Sequence, residues 1–118
     1  MTAARCRVLL IEDEFLVGML IGDMLADLGH ELAARADCLD DALELARSAA
    51  FDLGLLDLTL RGITTYRVAD LLKERGLPFA FVTGRHAVEI DPGYADVPAL
   101  QKPFRLDDLA ATIAQLIK

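Results

Sequence analysis

At 118 residues and 54% apolar, the chain suits a single domain able to bury roughly two thirds of its unfolded surface in one core. Nineteen acidic against twelve basic side chains give a formal charge of −7 and a pI near 4.6. That balance excludes a primary role on nucleic acid or anionic lipid, which call for clustered Lys and Arg, and points instead to a protein partner.

Residues 1–7 lead into a short apolar stretch broken at Glu12, too brief for a signal peptide or a membrane span, so a cytoplasmic protein without membrane association is expected. Val8 to Ile11 reads as the first strand, and the acidic pair Glu12-Asp13 follows it. A helix is predicted from Phe15 to Leu28, with Leu16, Met19, Leu20 and Met24 recurring at helical spacing and Gly29 as a left-handed stop. His30, at the turn beyond, is assigned no role. A weaker strand runs from Glu31 to Arg35.

Asp37 is the predicted cap of a second helix, with Asp40 and Asp41 in its first turn, where carboxylates favour the positive end of the dipole. Its apolar face is Leu39, Ala42, Leu43 and Ala46. Cys6 and Cys38, far apart and without metal-ligand spacing, are expected to be reduced and structural. The next strand, Leu53 to Leu56, ends at Asp57; Asp52 belongs to its entrance.

Thr64 or Thr65 can cap a third helix carrying Val68, Ala69, Leu71 and Leu72, with Gly76 and Pro78 ending it. Phe79 to Val82 is a strand closed by Thr83. From Arg85 to Asp96 only Val88 and Ile90 are apolar contacts, which predicts a short or frayed helix. A last strand, Val97 to Leu100, is interrupted by Pro98 and followed by Lys102-Pro103. The final helix carries Leu106, Leu109, Ala110, Ile113 and Ile117. Tyr66 and Tyr94 read as packing or surface residues.

Strands apolar on consecutive positions suit a sheet covered on both faces, and strands alternating with helices predict an α/β doubly wound (βα)5 parallel sheet. Ligands of such sheets sit beyond the carboxyl ends of the strands, where Glu12, Asp13, Asp57, Thr83 and Lys102 would collect.

Three carboxylates, Glu12, Asp13 and Asp57, held within a few ångströms repel one another and favour a bound divalent cation. An oxygen-only donor set without His or Cys selects Mg²⁺, which asks for octahedral oxygen coordination at about 2.1 Å. A metal there lets the Asp57 carboxylate meet an anionic phosphoryl donor. Phosphoryl transfer depends mainly on positioning and charge neutralisation: Lys102 would neutralise one phosphoryl oxygen, the Thr83 hydroxyl would bond another, and Gly84 would leave room for the group. Glu14 belongs to the first helical turn.

This ordered set, acidic pair, Asp, Thr and Lys-Pro at successive strand ends, resembles the response-regulator receiver domains of two-component signalling over essentially the whole chain. The resemblance implies a flavodoxin-like (CheY-like) sheet of five parallel strands in order 2-1-3-4-5. It makes Asp57 the phosphoacceptor, Glu12 and Asp13 the metal-binding pair, Thr83 the switch hydroxyl and Lys102 the paired lysine. It also implies a metal ligand in the main-chain carbonyl of Thr59, and a cis bond at Pro103. Glu12 stands where Asp is commoner, keeping the charge with a longer reach. Ala99, three residues before Lys102, stands where most receivers carry the Tyr or Phe that swings inward with Thr83.

The runs Phe79-Ala80-Phe81-Val82-Thr83-Gly84 and Leu100-Gln101-Lys102-Pro103-Phe104 are similar to the subclass called FATGUY. Its members work as stand-alone receivers with histidine kinases of HWE or related type, and His86 falls where its closing Tyr would be. The expectation is therefore one receiver domain over 1–118 without an output domain. It would be phosphorylated by a histidine kinase or a histidine phosphotransfer protein, and catalyse nothing beyond its own phosphotransfer and dephosphorylation. Output would pass to a downstream protein target through contact, from the segment after Thr83, the last strand and the last helix; His86 is either a solvated loop residue, the commoner case, or a stand-in for the missing aromatic. A phosphate sink or a phosphorelay shuttle fits the same residues. An HAD-like aspartyl phosphatase fits less well, because Thr59 occupies the place of its second Asp. A receiver-like adaptor that is no longer phosphorylated fits poorly with all five residues in place.

Overall fold

Two sets of side chains, alternating along each strand, decide the architecture. The structure, a computed structural model, describes residues 5–84 and 90–118. Its main sheet contains β1 (Arg7–Ile11), β2 (Glu31–Ala36), β3 (Leu53–Asp57), β6 (Phe79–Thr83) and β7 (Ala99–Gln101), all parallel, in spatial order β2-β1-β3-β6-β7. Numbered within the sheet alone, this is the expected order 2-1-3-4-5.

Leu9, Ile11, Leu56, Phe79 and Phe81 point to one face, where α2 (Leu39–Ser48) and α3 (Tyr66–Glu74) cover them with Ala42, Leu43, Ala46, Val68, Ala69 and Leu72. Val8, Leu10, Leu53, Leu55, Ala80 and Val82 point to the other, beneath Ile21 and Leu25 of α1 (Phe15–Asp27) and Leu109 and Ile113 of α4 (Leu106–Leu116). Because successive strand residues face opposite ways, burial on both faces requires the unbroken apolar runs seen in the sequence.

Helix α1 is apolar on every side, so its periodicity cannot select the inward face. Gly18, Ile21 and Leu25 are the buried positions, while Leu16, Met19 and Leu20 are 77%, 50% and 55% exposed, the reverse of the expected stripe; only Met24 packs against the core. The N-cap of α2 is Cys38 rather than Asp37, whose carboxylate pairs with Arg61 at 3.5 Å. Gly29 and Gly76 both adopt positive φ after α1 and α3, as the stop signals predict.

An antiparallel hairpin, β4 (Thr59–Leu60) with β5 (Ile63–Thr64), follows Asp57 and was not legible in the sequence. Arg61 and Gly62 form its turn with φ of 49° and 83°, the left-handed pair whose twist matches a two-residue hairpin. Beyond β6, the described part of the segment contains a 3₁₀ turn, Pro92–Tyr94, with the Asp91 carboxylate accepting from the Gly93 N–H. Tyr94 stacks on Tyr66 at 4.5 Å and meets Phe81 edge-on at 5.9 Å, tying this segment to α3 and β6. His86 and its neighbours 85–89 lie outside the described residues. The Lys102-Pro103 bond is cis, as the resemblance implies. No helix among the described residues is long and apolar enough to cross a membrane.

Candidate functional site

Parallel strands deliver their carboxyl ends to one edge, and five of the residues singled out by sequence stand there. Glu12 directly follows β1, fully buried, with its N–H donating to the Ala36 carbonyl at 3.0 Å. Asp57 and Thr83 are the last residues of β3 and β6, both buried. Lys102 follows β7, its N–H donating to the Thr83 carbonyl at 2.7 Å, so that the lysine and the threonine share one backbone link.

The carboxylates of Glu12, Asp13 and Asp57 each place an oxygen within 4.8 Å of the others. Lys102 Nζ lies 3.2 Å from Glu12 Oε1, 3.3 Å from Asp57 Oδ1 and 4.0 Å from Glu14 Oε1. Thr59 opens the hairpin two residues past Asp57. Gly84 is exposed, and a Cβ built on it would meet nothing within 4 Å among the described residues.

One ammonium cannot neutralise this many carboxylates, and the surplus appears as a retained proton. Burial first, then the hydrogen bond and charge of Glu12, push the Asp57 carboxyl up to about 8, against the opposing pull of Lys102. Burial works to lower the Lys102 value, but the charges of Asp57 and Glu12 outweigh it and raise it, so the lysine remains a cation.

The linkage has a definite sign. A carboxyl ionising near 4 when unfolded and near 8 when folded binds an extra proton in the folded state between those values. Its contribution to stability is complete below about pH 4 and is lost as pH rises through 8. In chelator-containing buffer the melting temperature should fall steadily from pH 5 to pH 8.5, and Asp57→Asn should flatten that slope; an unchanged slope in the variant would assign the effect to other groups.

Three contributors were missed in the sequence. Thr65 was read only as a helix cap, yet its buried hydroxyl donates to the carbonyls of Asp57 at 2.6 Å and Leu58 at 3.2 Å, anchoring the backbone that carries Asp57. The Arg61 N–H donates to Asp13 Oδ2 at 2.8 Å, and its Nε to the Asp37 carbonyl at 3.1 Å, so the hairpin turn orients one carboxylate of the cluster. His30, assigned no role, accepts the Cys6 N–H on Nδ1 at 3.0 Å and fastens the start of β1 to the α1–β2 turn. The signal for these lies in loops, where residue type alone does not say which carbonyl or amide a side chain will meet. Neither Cys6 nor Cys38 forms a disulfide.

The family described as the response regulator receiver domain matches residues 8–114. The chain belongs to the receiver family. Receivers are generally signalling modules rather than enzymes, they bind Mg²⁺ at an acidic pocket, and they imply a histidine kinase or phosphotransfer protein as partner.

Among solved structures, this receiver is similar to SdrG from Sphingomonas melonis Fr1, with a TM-score of 0.88 and 34% identity, covering 98% of this chain and 99% of that one. It is also similar to the PhyR receiver domain of Erythrobacter litoralis, with a TM-score of 0.77 and 27% identity over 97% and 91% of the two chains. Among curated proteins, the transcriptional regulatory protein DltR of Streptococcus agalactiae is 33% identical over 112 residues, 91% of this chain and 50% of that protein. PdtaR of Mycobacterium tuberculosis, also named a transcriptional regulatory protein, is 31% identical over 111 residues, 91% of this chain and 54% of its own length. The receiver thus spans about half the length of the curated relatives it matches.

Proposed function

We propose that this receiver accepts a phosphoryl group on Asp57 from a histidine kinase or a histidine phosphotransfer protein and passes the signal on by protein contact. One observation carries the reading: Glu12, Asp13 and Asp57 bring carboxylate oxygens within 4.8 Å of one another, with Lys102 Nζ 3.3 Å or less from two of them. An oxygen-only donor set with excess negative charge fits Mg²⁺, held by Glu12, Asp13, Asp57 and the Thr59 carbonyl. When bound, the ion supplies the positive charge that lets anionic Asp57 approach an anionic donor.

Asp57, deprotonated, attacks phosphorus with one carboxylate oxygen; the P–N bond to the donor histidine breaks and the imidazole leaves with the electron pair. Lys102 swings from Glu12 and Asp57 to a phosphoryl oxygen, and the Thr83 hydroxyl donates to another. Because the Lys102 N–H is bonded to the Thr83 carbonyl, rearrangement at one is felt at the other. The change then reaches the described residues 90–96, β7 and α4, with the Tyr66–Tyr94 stack in place of the aromatic lacking at Ala99. We further propose that this receiver is cytoplasmic and paired with a kinase of HWE or related type. Phosphoryl lifetime separates its roles: an effector holds the group for its target, and a sink loses it quickly.

Cation uptake must displace the proton that Asp57 holds below about pH 8, so affinity for Mg²⁺ rises toward that pH with release of a proton. The donor's approach is supported by the exposed apolar row Phe15, Leu16, Met19 and Leu20, which starts next to the acidic loop. Replacing Leu16 and Met19 together by Glu should slow transfer from a phosphorylated histidine protein at least about tenfold, the effect of losing 1.4 kcal/mol of contact, while phosphorylation by acetyl phosphate stays unchanged. Equal slowing with both donors would move the docking surface elsewhere, and no transfer from any donor to the wild type would end the reading.

A further inference from the structure

Arg35 belongs to β2, yet its guanidinium lies against α1 and the acidic loop. Nη2 donates to the Glu14 carbonyl at 3.0 Å and reaches the Glu12 carbonyl at 3.5 Å, the residues on either side of Asp13. The ring of Phe15 lies 5.7 Å from Cζ. The guanidinium passes directly over Gly18: a Cβ there would fall 2.2 Å from Cζ, and 2.4 and 2.5 Å from the two terminal nitrogens.

Gly18 is buried inside α1, where glycine lowers helix stability relative to alanine, and its φ is not in the left-handed region. Its missing side chain therefore serves space, and the space is filled by Arg35. Only three residues, Glu12 to Glu14, join β1 to α1, and Asp13 sits in the middle, half-buried. The carbonyls of both its neighbours are met by one guanidinium nitrogen, Nη2, while the planar group as a whole fills the Gly18 slot beside the Phe15 ring, a flat shape that the Lys ammonium does not reproduce.

We propose that Arg35, seated in the slot left by Gly18, is a positioning residue for the cation-binding loop, fixing the direction in which Asp13 presents its carboxylate. The inference rests on the reading of the pocket as a Mg²⁺ site. Sign separates positioning from electrostatics. Deleting a positive charge near an anionic pocket should by itself tighten cation binding, whereas releasing the loop should weaken it. Loss of groups that orient metal ligands weakens binding 10- to 100-fold in known sites, and Arg35, which holds carbonyls rather than the carboxylates, belongs at about tenfold.

The test is calorimetric titration of the whole chain with Mg²⁺, alongside thermal melts in chelator. Arg35→Met should weaken binding about tenfold and Arg35→Lys severalfold. Gly18→Ala should displace the guanidinium and weaken binding by about as much as Arg35→Met. The double variant should bind no more weakly than Arg35→Met alone, and should melt higher than it, because alanine is the better helix former once the slot is empty. Unchanged or tighter binding by Arg35→Met, or by Arg35→Lys if the Met variant does not fold, overturns the clamp. So does a double variant whose loss multiplies the two single losses. A wild type that binds no Mg²⁺ is a separate outcome, which overturns the cation-site reading and the clamp with it.

Discussion

Asp57→Asn takes up no phosphoryl group from acetyl phosphate or from a phosphorylated histidine protein, a loss of more than about a thousandfold, because an amide lacks the anionic oxygen that attacks phosphorus. The same variant should melt higher than wild type in chelator at pH 8. Three carboxylates share the pocket with Lys102, and the wild-type site relieves the crowding by keeping a proton on Asp57 up to about pH 8. Asn keeps the oxygen that faces Lys102 Nζ at 3.3 Å and removes the charge, so the fold gains while the chemistry is lost. Intact-mass measurement after incubation with donor, paired with melts across pH, reads both effects. A phosphorylated Asp57→Asn protein would place the acceptor elsewhere.

Lys102→Met should separate three quantities that a general folding defect would lower together. Phosphorylation by a small donor slows about 10²- to 10³-fold, the usual cost of removing one preorganised group that faces developing charge. Mg²⁺ binds more tightly, because the competing cation has gone. Stability in chelator falls by about 2–3 kcal/mol, below the 3–5 typical of a broken buried pair, because Lys102 is 19% exposed and Asp57 already holds a proton below about pH 8, which leaves less uncompensated charge behind. Saturating Mg²⁺ should recover much of that stability without recovering the rate. Denaturant melts with and without Mg²⁺, read beside phosphorylation time courses, distinguish this pattern from plain unfolding, in which rate and affinity drop in parallel.

What the sequence disclosed follows from where its signals act. Val8 to Ile11, Leu53 to Leu56 and Phe79 to Val82 must bury both faces, so their apolar runs announce a parallel sheet, and the polar residue ending each run announces the edge at which Glu12, Asp13, Asp57 and Thr83 meet. Helix α1 misled because Phe15, Leu16, Met19 and Leu20 are as apolar as Ile21 and Leu25; only packing against Leu10 and Leu55 distinguishes the two sides. The hairpin after Asp57 escaped notice since Arg at a left-handed position is an unusual turn signal; its φ of 49° is accompanied by the contacts of Arg61 with Asp37 and Asp13. Thr65 and Arg35 act on carbonyls brought near by tertiary folding, and no spacing in the chain encodes those partners.

The most direct trial of the central claim is to incubate the protein with acetyl phosphate, with Mg²⁺ or with chelator, to count phosphoryl groups by intact mass, and to map any acyl phosphate by borohydride reduction, which expels phosphate and leaves the modified aspartate as homoserine. One group per chain, on Asp57 and only in the presence of Mg²⁺, is the predicted result. A group on another residue, or uptake that proceeds equally well in chelator, would contradict the account.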